Sequence, residues 1–198
     1  MVNGFEKIKL ETLKKLKKDK SSKGSIDYPI KSLVSKINQL PDYFTTSSCS
    51  GRISVVKEKK GMTKHRKAWI YKSHSKVNIK ELKNIPLVKG KCSLKFETVI
   101  LHIAARDLNK AFKMLKVVRE SGWKKSGIIS AKRNKVVLEC SSTEMMAMPF
   151  CKNGKIILSE ETLKEFCKEA NEKLERAHQK IDKFLSNLKK NEDFLNEG

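Results

Sequence analysis

The chain has 198 residues, enough for one compact domain of ordinary size or two closely packed halves. Apolar residues make up 38% of the sequence, which predicts a hydrophobic core and excludes global disorder, although 33% of the residues are charged. The net charge of +22, from 44 basic and 22 acidic residues, predicts a polyanionic partner whose binding weakens steeply with salt.

The cysteines and the hydropathy indicate the compartment. Five cysteines, an odd number, are spread widely and follow no secretory signal, which predicts a reduced, cytoplasmic protein. No apolar run approaches the roughly 20 residues that a membrane span requires, so no membrane association is expected. The histidines and cysteines lack the close pairs that build zinc sites, and we therefore predict no metal site.

The N-terminal part of the chain is predicted to form two helices. Apolar residues recur at helical spacing from Phe5 to about Lys18, and the polar stretch 19–25 is typical of a loop. Pro29 suits the first turn of a second helix, which buries one apolar stripe and ends at Pro41.

Strands are predicted in the middle of the chain. The Ser50-Gly51 turn leads into a strand at 52–56, a basic loop covers 57–67, and further strands are predicted at 67–72 and 96–103. The intervening stretch 73–95 is rich in lysine and shows little periodicity.

The second half of the chain repeats this alternation of helices and strands. A helix is predicted at 107–121, and a strand pair follows at 127–131 and 136–140. The final helix, about 160–190, has Ser159 as its N-cap and one long apolar stripe. The predicted buried face of the 107–121 helix consists of Leu108, Ala111, Phe112, Leu115 and Val118.

Two parts of the sequence are similar to each other. Ser50-Gly51-Arg52-Ile53-Ser54 is echoed by Ser126-Gly127-Ile128-Ile129-Ser130, and each copy follows a helix and precedes a second strand. We therefore predict a single α+β domain, 1–198, of two similar helix-strand-strand halves, about 20–90 and 91–155, with a mixed or antiparallel sheet. Because none of the nine glycines forms a Gly-x-Gly pair, a Rossmann-type methyltransferase fold is not expected.

The hydroxyl-rich run from Thr45 to Arg52 is the strongest candidate for a binding site. Short hydroxyl side chains and a glycine allow a ligand to approach the backbone closely, and an arginine holds an anion bidentately. The alternative is an ordinary Ser/Thr-rich turn before a strand. The cofactor-binding or substrate-binding residues predicted here and in the echoed segment are Ser47, Ser48, Ser50, Gly51, Arg52, Ser126 and Gly127.

A second candidate surface combines aromatic and basic residues. Trp69 and Tyr71 alternate with Ile70 on a predicted strand between two basic runs, an arrangement that can stack an unpaired base beside its phosphates. The alternative is an ordinary core tryptophan. The predicted RNA-binding residues are Trp69, Tyr71, Lys64, Arg66, Lys67 and Arg106. His74, just after this strand, is a candidate general base.

The string Tyr43-Phe44-Thr45-Thr46-Ser47-Ser48-Cys49-Ser50-Gly51-Arg52-Ile53 resembles the wybutosine-synthesis tRNA methyltransferase family. The resemblance continues in the same order over about residues 5–155 and is weaker outside the quoted string. The residues that carry this continuation are Asp27, Asn38, Trp69, Ser73-His74, Phe96-Glu97, His102, Arg106, Lys125-Ser126-Gly127-Ile128 and Pro149.

The resemblance implies an enzyme that uses S-adenosyl-L-methionine to methylate N4 of the 4-demethylwyosine-type base at position 37, in the anticodon loop of tRNA(Phe). It implies a compact α+β fold and no catalytic metal. On this reading His74 or Asp27 accepts the proton that the ring nitrogen loses. Two alternatives stay open: a noncatalytic basic RNA-binding protein, and a hydrolase that uses Cys49 with His74.

Overall fold

The computed structural model describes residues 4–17, 26–57 and 68–197. The chain divides into two compact units, and each unit is built from separate stretches of sequence. Unit 1 comprises Met1–Ser50, Val99–Thr143 and His178–Gly198, and unit 2 comprises Gly51–Thr98 and Glu144–Ala177.

Helices and strands are mixed along the chain, as expected of an α+β fold. The helices are α1 (Gly4–Lys17), α2 (Lys31–Gln39), α3 (Ile79–Lys83), α4 (Leu108–Glu120), α5 (Glu160–Lys190) and α6 (Glu192–Asn196), and a 3-10 turn at Tyr28–Ile30 precedes α2. The strands are β1 (Tyr43–Cys49), β2 (Arg52–Lys57), β3 (Ala68–Ser73), β4 (Lys91–Glu97), β5 (Ile100–Ala105), β6 (Gly127–Lys132), β7 (Lys135–Ser141), β8 (Met146–Lys152) and β9 (Lys155–Ile156).

Unit 1 contains a four-stranded antiparallel sheet in the order β1-β5-β7-β6. Phe5 of α1 packs against Phe44 and Ala104 on one face of this sheet. The opposite face carries Tyr43, whose hydroxyl donates to a backbone carbonyl of α4. The largest buried side chain, Trp123, packs edge-on against Phe184 and donates to the Lys180 carbonyl.

Unit 2 contains a five-stranded antiparallel sheet in the order β3-β2-β4-β8-β9. The first part of α5, up to Ala177, belongs to this unit. Asn171 of α5 holds the backbone of Val77, because its amide group both donates to the carbonyl and accepts from the N–H of that residue. This two-point contact fixes the segment between β3 and α3 against the helix.

The α+β class and the antiparallel arrangement predicted from the sequence are confirmed, and neither sheet is of the Rossmann type. The two units are interleaved along the chain, so they are not the contiguous halves that the sequence analysis divides at about residue 90. The internal duplication itself stays a prediction. Among the described residues, no helix has both the length and the apolar character needed to cross a membrane.

The predicted strand 96–103 is wrong. The chain forms β4 up to Glu97 and β5 from Ile100, and these strands belong to different sheets. An uninterrupted apolar and β-branched run gives the same pattern whether it pairs as one strand or as two. The strands β8 and β9 and the short helix α3 were not predicted at all.

The predicted helix at 107–121 is confirmed as α4, with Asp107 as its N-cap, but its predicted buried face is partly wrong. Leu108 and Phe112 are 50% and 59% exposed. Ala111, Leu115 and Val118 are buried, together with Met114 and Val117. The helix is rotated because Lys110, which is 5% exposed, is drawn inside by its ion pair with Asp42.

The long C-terminal helix is confirmed as α5. Ser159 caps it as predicted, since its hydroxyl accepts a hydrogen bond from the Thr162 backbone N–H at 3.2 Å. The predicted stripe is buried over the whole length of the helix, apart from the half-buried Leu185. The buried members are Leu163, Phe166, Cys167, Ala170, Leu174, Ala177, Ile181, Phe184 and Leu188.

Asp42 is the centre of an ion-pair network in unit 1. Its carboxylate accepts from Arg106 Nε and lies 3.0 Å from Lys110 Nζ, while Arg106 also pairs with Glu6 at 3.6 Å. Burial by itself raises the pKa of Asp42, but the hydrogen bonds from Arg106 and Lys110 outweigh it, so the pKa is lowered. Lys110 also donates to the backbone carbonyls of residues 195–197.

We expect Asp42→Asn to lower the free energy of unfolding by about 3 kcal/mol at neutral pH, because it leaves two largely buried cations without their carboxylate. Urea denaturation measures the change, and Asp182→Asn, an exposed position on α5, is the matched control. The folded pKa of Asp42 is lowered, so its contribution is complete above the unfolded value of about 3.9 and is lost as the pH falls through the folded value. A variant as stable as the wild type at pH 7 would contradict this role.

Candidate active site

The hydroxyl-rich run predicted to be a site is also where the chain passes from one unit to the other. Ser47 and Ser48 are in β1, Ser50 is the last residue of the first stretch of unit 1, and Gly51 begins unit 2. Arg52 opens β2. The predicted binding residues of this run therefore divide into two groups, one in each unit.

Ser50 is held by Asp27. The Asp27 carboxylate accepts hydrogen bonds from the Ser50 backbone N–H at 3.0 Å and from its hydroxyl at 3.3 Å. Ser50 is fully buried. Both of its polar groups are thus used to fix the end of β1, and Asp27, predicted as a proton acceptor, has a clear structural contact.

Gly51 and His74 meet in unit 2. Gly51 has a φ of 95°, a conformation that residues with a Cβ rarely adopt. Its carbonyl oxygen lies 2.9 Å from His74 Nδ1. Because a carbonyl only accepts, Nδ1 carries the proton, and in the neutral ring Nε2 is the nitrogen with the lone pair.

Arg52 is paired with Glu97 across neighbouring strands. The two residues are in register on β2 and β4, and Arg52 Nε donates to Glu97 Oε2 at 2.7 Å. Ser54 donates to the same oxygen at 3.3 Å. Each side chain of the pair is 20% exposed, so the guanidinium is held rigidly at the edge of the solvent.

Two cationic side chains lie over the aromatic ring of Trp69. Its side chain is 43% exposed, the Arg52 guanidinium lies 4.8 Å from its ring centre, and Lys72 Nζ lies 5.4 Å away. An exposed tryptophan beside cations suits the stacking of a base next to its phosphate. We call Arg52, Glu97, Trp69 and Lys72 the Trp69 cluster.

Tyr71 does not share this surface. A bulge at Ile70 places Trp69 opposite Val56 and Tyr71 opposite Val55, so the two aromatic side chains lie on opposite faces of the sheet. The Tyr71 hydroxyl donates to Glu81 at 2.9 Å, and burial, followed by this hydrogen bond, raises its pKa to about 12. Tyr71 therefore does not form one stacking surface with Trp69, and its contact with RNA stays a prediction.

Three polar side chains form an array across the sheet of unit 1, and the sequence analysis did not predict that they meet. Ser47 Oγ lies 2.7 Å from His102 Nδ1, and His102 Nε2 lies 3.0 Å from Glu139 Oε2. The three residues are on β1, β5 and β7. His102 carried part of the family resemblance, which was the one signal in the sequence that could have marked it.

The remaining predicted site residues lie in several different parts of the chain. The Ser126 hydroxyl donates to the Trp123 carbonyl and accepts from the Ser141 N–H, which makes it part of the fold. Gly127 opens β6, and a Cβ there would meet nothing within 4 Å. Arg106 belongs to the Asp42 network. Lys64, Arg66 and Lys67 lie outside the described residues, and these assignments stay predictions.

An α+β fold without a glycine-rich loop, a strongly basic chain and an exposed tryptophan beside cations together indicate a protein that acts on nucleic acid. The chain matches the model of the family described as Methyltransferase TYW3 over residues 7–190. It therefore belongs to the TYW3 methyltransferase family, and it is a methyltransferase.

Individual relatives agree with this assignment. The chain is 35% identical over 188 residues to the tRNA(Phe) 7-((3-amino-3-carboxypropyl)-4-demethylwyosine(37)-N(4))-methyltransferase 1 of Pyrococcus furiosus, covering 93% of this chain and 94% of that protein. It is 34% identical over 178 residues to the tRNA wybutosine-synthesizing protein 3 homolog of Xenopus laevis, covering 88% and 71% of the two chains. The solved PH1069 protein of Pyrococcus horikoshii superposes with a TM-score of 0.83 at 33% identity and 94% coverage of each chain.

We expect Trp69→Ala to weaken binding of a single-stranded RNA loop by about 1 to 3 kcal/mol, roughly 5- to 150-fold in Kd, because the stacking surface is lost. Trp69→Phe retains much of this affinity. Fluorescence anisotropy with a labelled anticodon stem-loop measures it, and Phe112→Ala, which removes another exposed aromatic ring, is the matched control. Equal losses in the Trp69 and Phe112 variants would argue against a specific stacking site.

Proposed function

We propose that this chain transfers a methyl group from S-adenosyl-L-methionine to N4 of the 4-demethylwyosine-type base at position 37 of tRNA(Phe). Family membership gives the class of reaction, and the activities for which the relatives are named support the substrate. The observation in the structure that carries the proposal is the Trp69 cluster, a surface suited to a base and its phosphate. A cytoplasmic location is part of this proposal.

Recognition of the anticodon loop fits the chemistry of the chain. Specific RNA recognition targets unpaired bases, which can be splayed out of a loop and stacked on aromatic rings. Trp69 supplies such a ring, and the charge of +22 supplies attraction for the phosphates. Membership of a methyltransferase family favours this reading over the noncatalytic RNA-binding alternative.

The residues present also suit S-adenosyl-L-methionine, which supplies an electrophilic methyl group when bound. Its adenosine offers a flat ring and two hydroxyls; Trp69 offers an aromatic face, and Glu97, which pairs with Arg52, offers carboxylate oxygens that accept hydrogen bonds. Ser47 and Ser48, on β1 of unit 1, stay predicted binding residues.

The enzyme contributes position and exclusion of water more than covalent chemistry. Methyl transfer is an in-line displacement, so the reacting atoms must be held roughly 3 Å apart and aligned. The Arg52–Glu97 pair makes the Trp69 cluster rigid, and rigidity favours such alignment. The sequence predicts His74 or Asp27 as the acceptor of the ring proton; in the structure Asp27 binds Ser50 and His74 binds the Gly51 carbonyl.

The direct test is mass spectrometry of position 37 after incubating the purified chain with S-adenosyl-L-methionine and tRNA(Phe) that carries the demethyl base. We expect the base to gain the mass of one methyl group. Arg52→Ala should abolish the gain, while Arg52→Lys, which keeps the ion pair with Glu97 but loses the planar guanidinium, should retain only part of it.

Arg133→Ala, at the exposed turn between β6 and β7, is the matched control and should methylate normally. Circular dichroism confirms that each variant is folded. Full activity of Arg52→Ala would remove Arg52 from the site, and an unchanged base mass with the wild-type chain would refute the proposed function.

Binding of tRNA should depend strongly on salt, because each phosphate neutralised by lysine or arginine releases condensed counterions. We expect the affinity for unmodified tRNA(Phe) to fall by about a hundredfold or more between roughly 50 and 200 mM salt, as for proteins that contact several phosphates. Filter binding over this range measures the slope of log K against log salt. A flat response would contradict a phosphate-binding surface.

A further inference from the structure

The array Ser47–His102–Glu139 has the parts of a proton relay. A hydroxyl, an imidazole and a carboxylate lie in one line, joined by contacts of 2.7 and 3.0 Å. The line follows the strand register, in which Ser47 pairs with His102 and His102 pairs with Glu139. A nucleophile or acceptor, a base and a group that orients the base form a recurrent catalytic arrangement.

The contacts determine which nitrogen of His102 acts as the base. A carboxylate only accepts, so His102 Nε2 donates its proton to Glu139. His102 Nδ1 is then the nitrogen with the lone pair, and it accepts from the Ser47 hydroxyl. The Ser47 oxygen keeps its own lone pairs for a further donor. Ser47 is exposed, so a ligand can reach this oxygen.

The contacts of His102 among the described residues come from the neighbouring strands. Its register partners are Ser47 and Glu139, and the next residue in line, on β6, is Gly127. The helix that packs on this face, α1, does so through Phe5 at Ala104, the next residue on the same side of β5. The α1 side chains Glu6 and Lys9 contact Arg106 and the carbonyl of Leu40. Glu139 is therefore the charged group shown in direct contact with His102.

We propose that Ser47, His102 and Glu139 remove the proton that the target ring nitrogen loses during methylation. This inference rests on the proposed function. Ser47 Oγ accepts the hydrogen bond of the ring N–H, His102 Nδ1 is the final acceptor, and Glu139 stabilises the resulting imidazolium. Ser47 contacts the substrate, whereas Glu139 is a positioning residue that acts through His102.

The step balances without any group beyond the substrate and the methyl donor. The ring nitrogen forms a bond to the methyl carbon as the bond from that carbon to sulfur breaks, and its electron pair stays on sulfur. The ring N–H proton moves to Ser47 Oγ while the Ser47 proton moves to His102 Nδ1. The positive charge that leaves the donor is thereby transferred to the imidazole, beside a carboxylate.

Nuclear magnetic resonance of the chain alone tests the relay without any reaction. With ¹⁵N-labelled histidine, His102→Gln assigns the His102 signals, and we expect the neutral ring to carry its proton on Nε2. In Glu139→Ala the ring loses the hydrogen bond that fixes its tautomer, so the proton should distribute between Nε2 and Nδ1. Glu120→Ala, an exposed change in the same unit, should leave the tautomer unchanged. A proton on Nδ1 in the wild type, or an unchanged tautomer in Glu139→Ala, would overturn the relay.

Single-turnover methylation of tRNA(Phe) with the demethyl base tests the catalytic role. Glu139→Ala should lower the rate, but by less than the loss of His102 does, because the base stays in place and is only no longer oriented. His102→Gln should lose about 10² to 10⁴ in rate, the range of general base catalysis, with tRNA affinity unchanged. The methylation rate of Ser47→Ala should lie between the rates of the Glu139 and His102 variants.

The outcomes separate this inference from the proposed function. A His102→Gln rate within about threefold of the wild type would overturn the relay while leaving the methyltransferase assignment intact. A rate that is lost in His74→Gln and kept in His102→Gln would assign the proton to His74 instead. A wild-type chain that methylates no tRNA(Phe) would refute both, even if the resonance data showed the predicted tautomer.

Discussion

The register of β1 against β5 is the constraint on which the Ser47–His102–Glu139 array depends. Thr45 pairs with Ile103, but Ser47 pairs with His102, because a bulge at Thr46 inserts one extra residue into β1. Side chains alternate between the two faces of a strand, so a shift of one residue would reverse the face on which each hydroxyl lies. The bulge therefore decides which hydroxyl meets the histidine. The regular register of β5 against β7 then brings Glu139 to the same ring.

The sequence predicts the helices of this fold better than its strands. The stripe of α5 repeats over eight turns or so, and such a pattern has few alternative interpretations. The face of α4 was predicted only in part, because an ion pair with Asp42 buries Lys110 and hydropathy patterns treat lysine as exposed. Similarly, the apolar run around residue 99 does not reveal that the chain leaves one sheet and enters another.

The candidate site shows the same division between local and distant information. The hydroxyl run and Trp69 are contiguous features, and a reader of the sequence can find them. Their partners are distant in the sequence, since Glu97 is 45 positions from Arg52 and Glu139 is 37 positions from His102. These pairs depend on strand order and register, which composition and spacing do not encode. The bulge that separates Tyr71 from Trp69 was hidden for the same reason.

The hydroxyl run contains two kinds of residue: those whose backbone is constrained, and those whose side chains contact neighbouring strands. At its centre, Ser50 and Gly51 are committed to the backbone: Asp27 binds the first, and the second needs a positive φ and offers its carbonyl to His74. At its ends, Ser47 and Arg52 are turned to polar and aromatic partners on neighbouring strands. The small central residues thus fit the backbone where the chain leaves unit 1 and enters unit 2. Backbone geometry favours small residues at these two positions, whereas Ser47 and Arg52 act through their side chains, which contact His102 and Glu97.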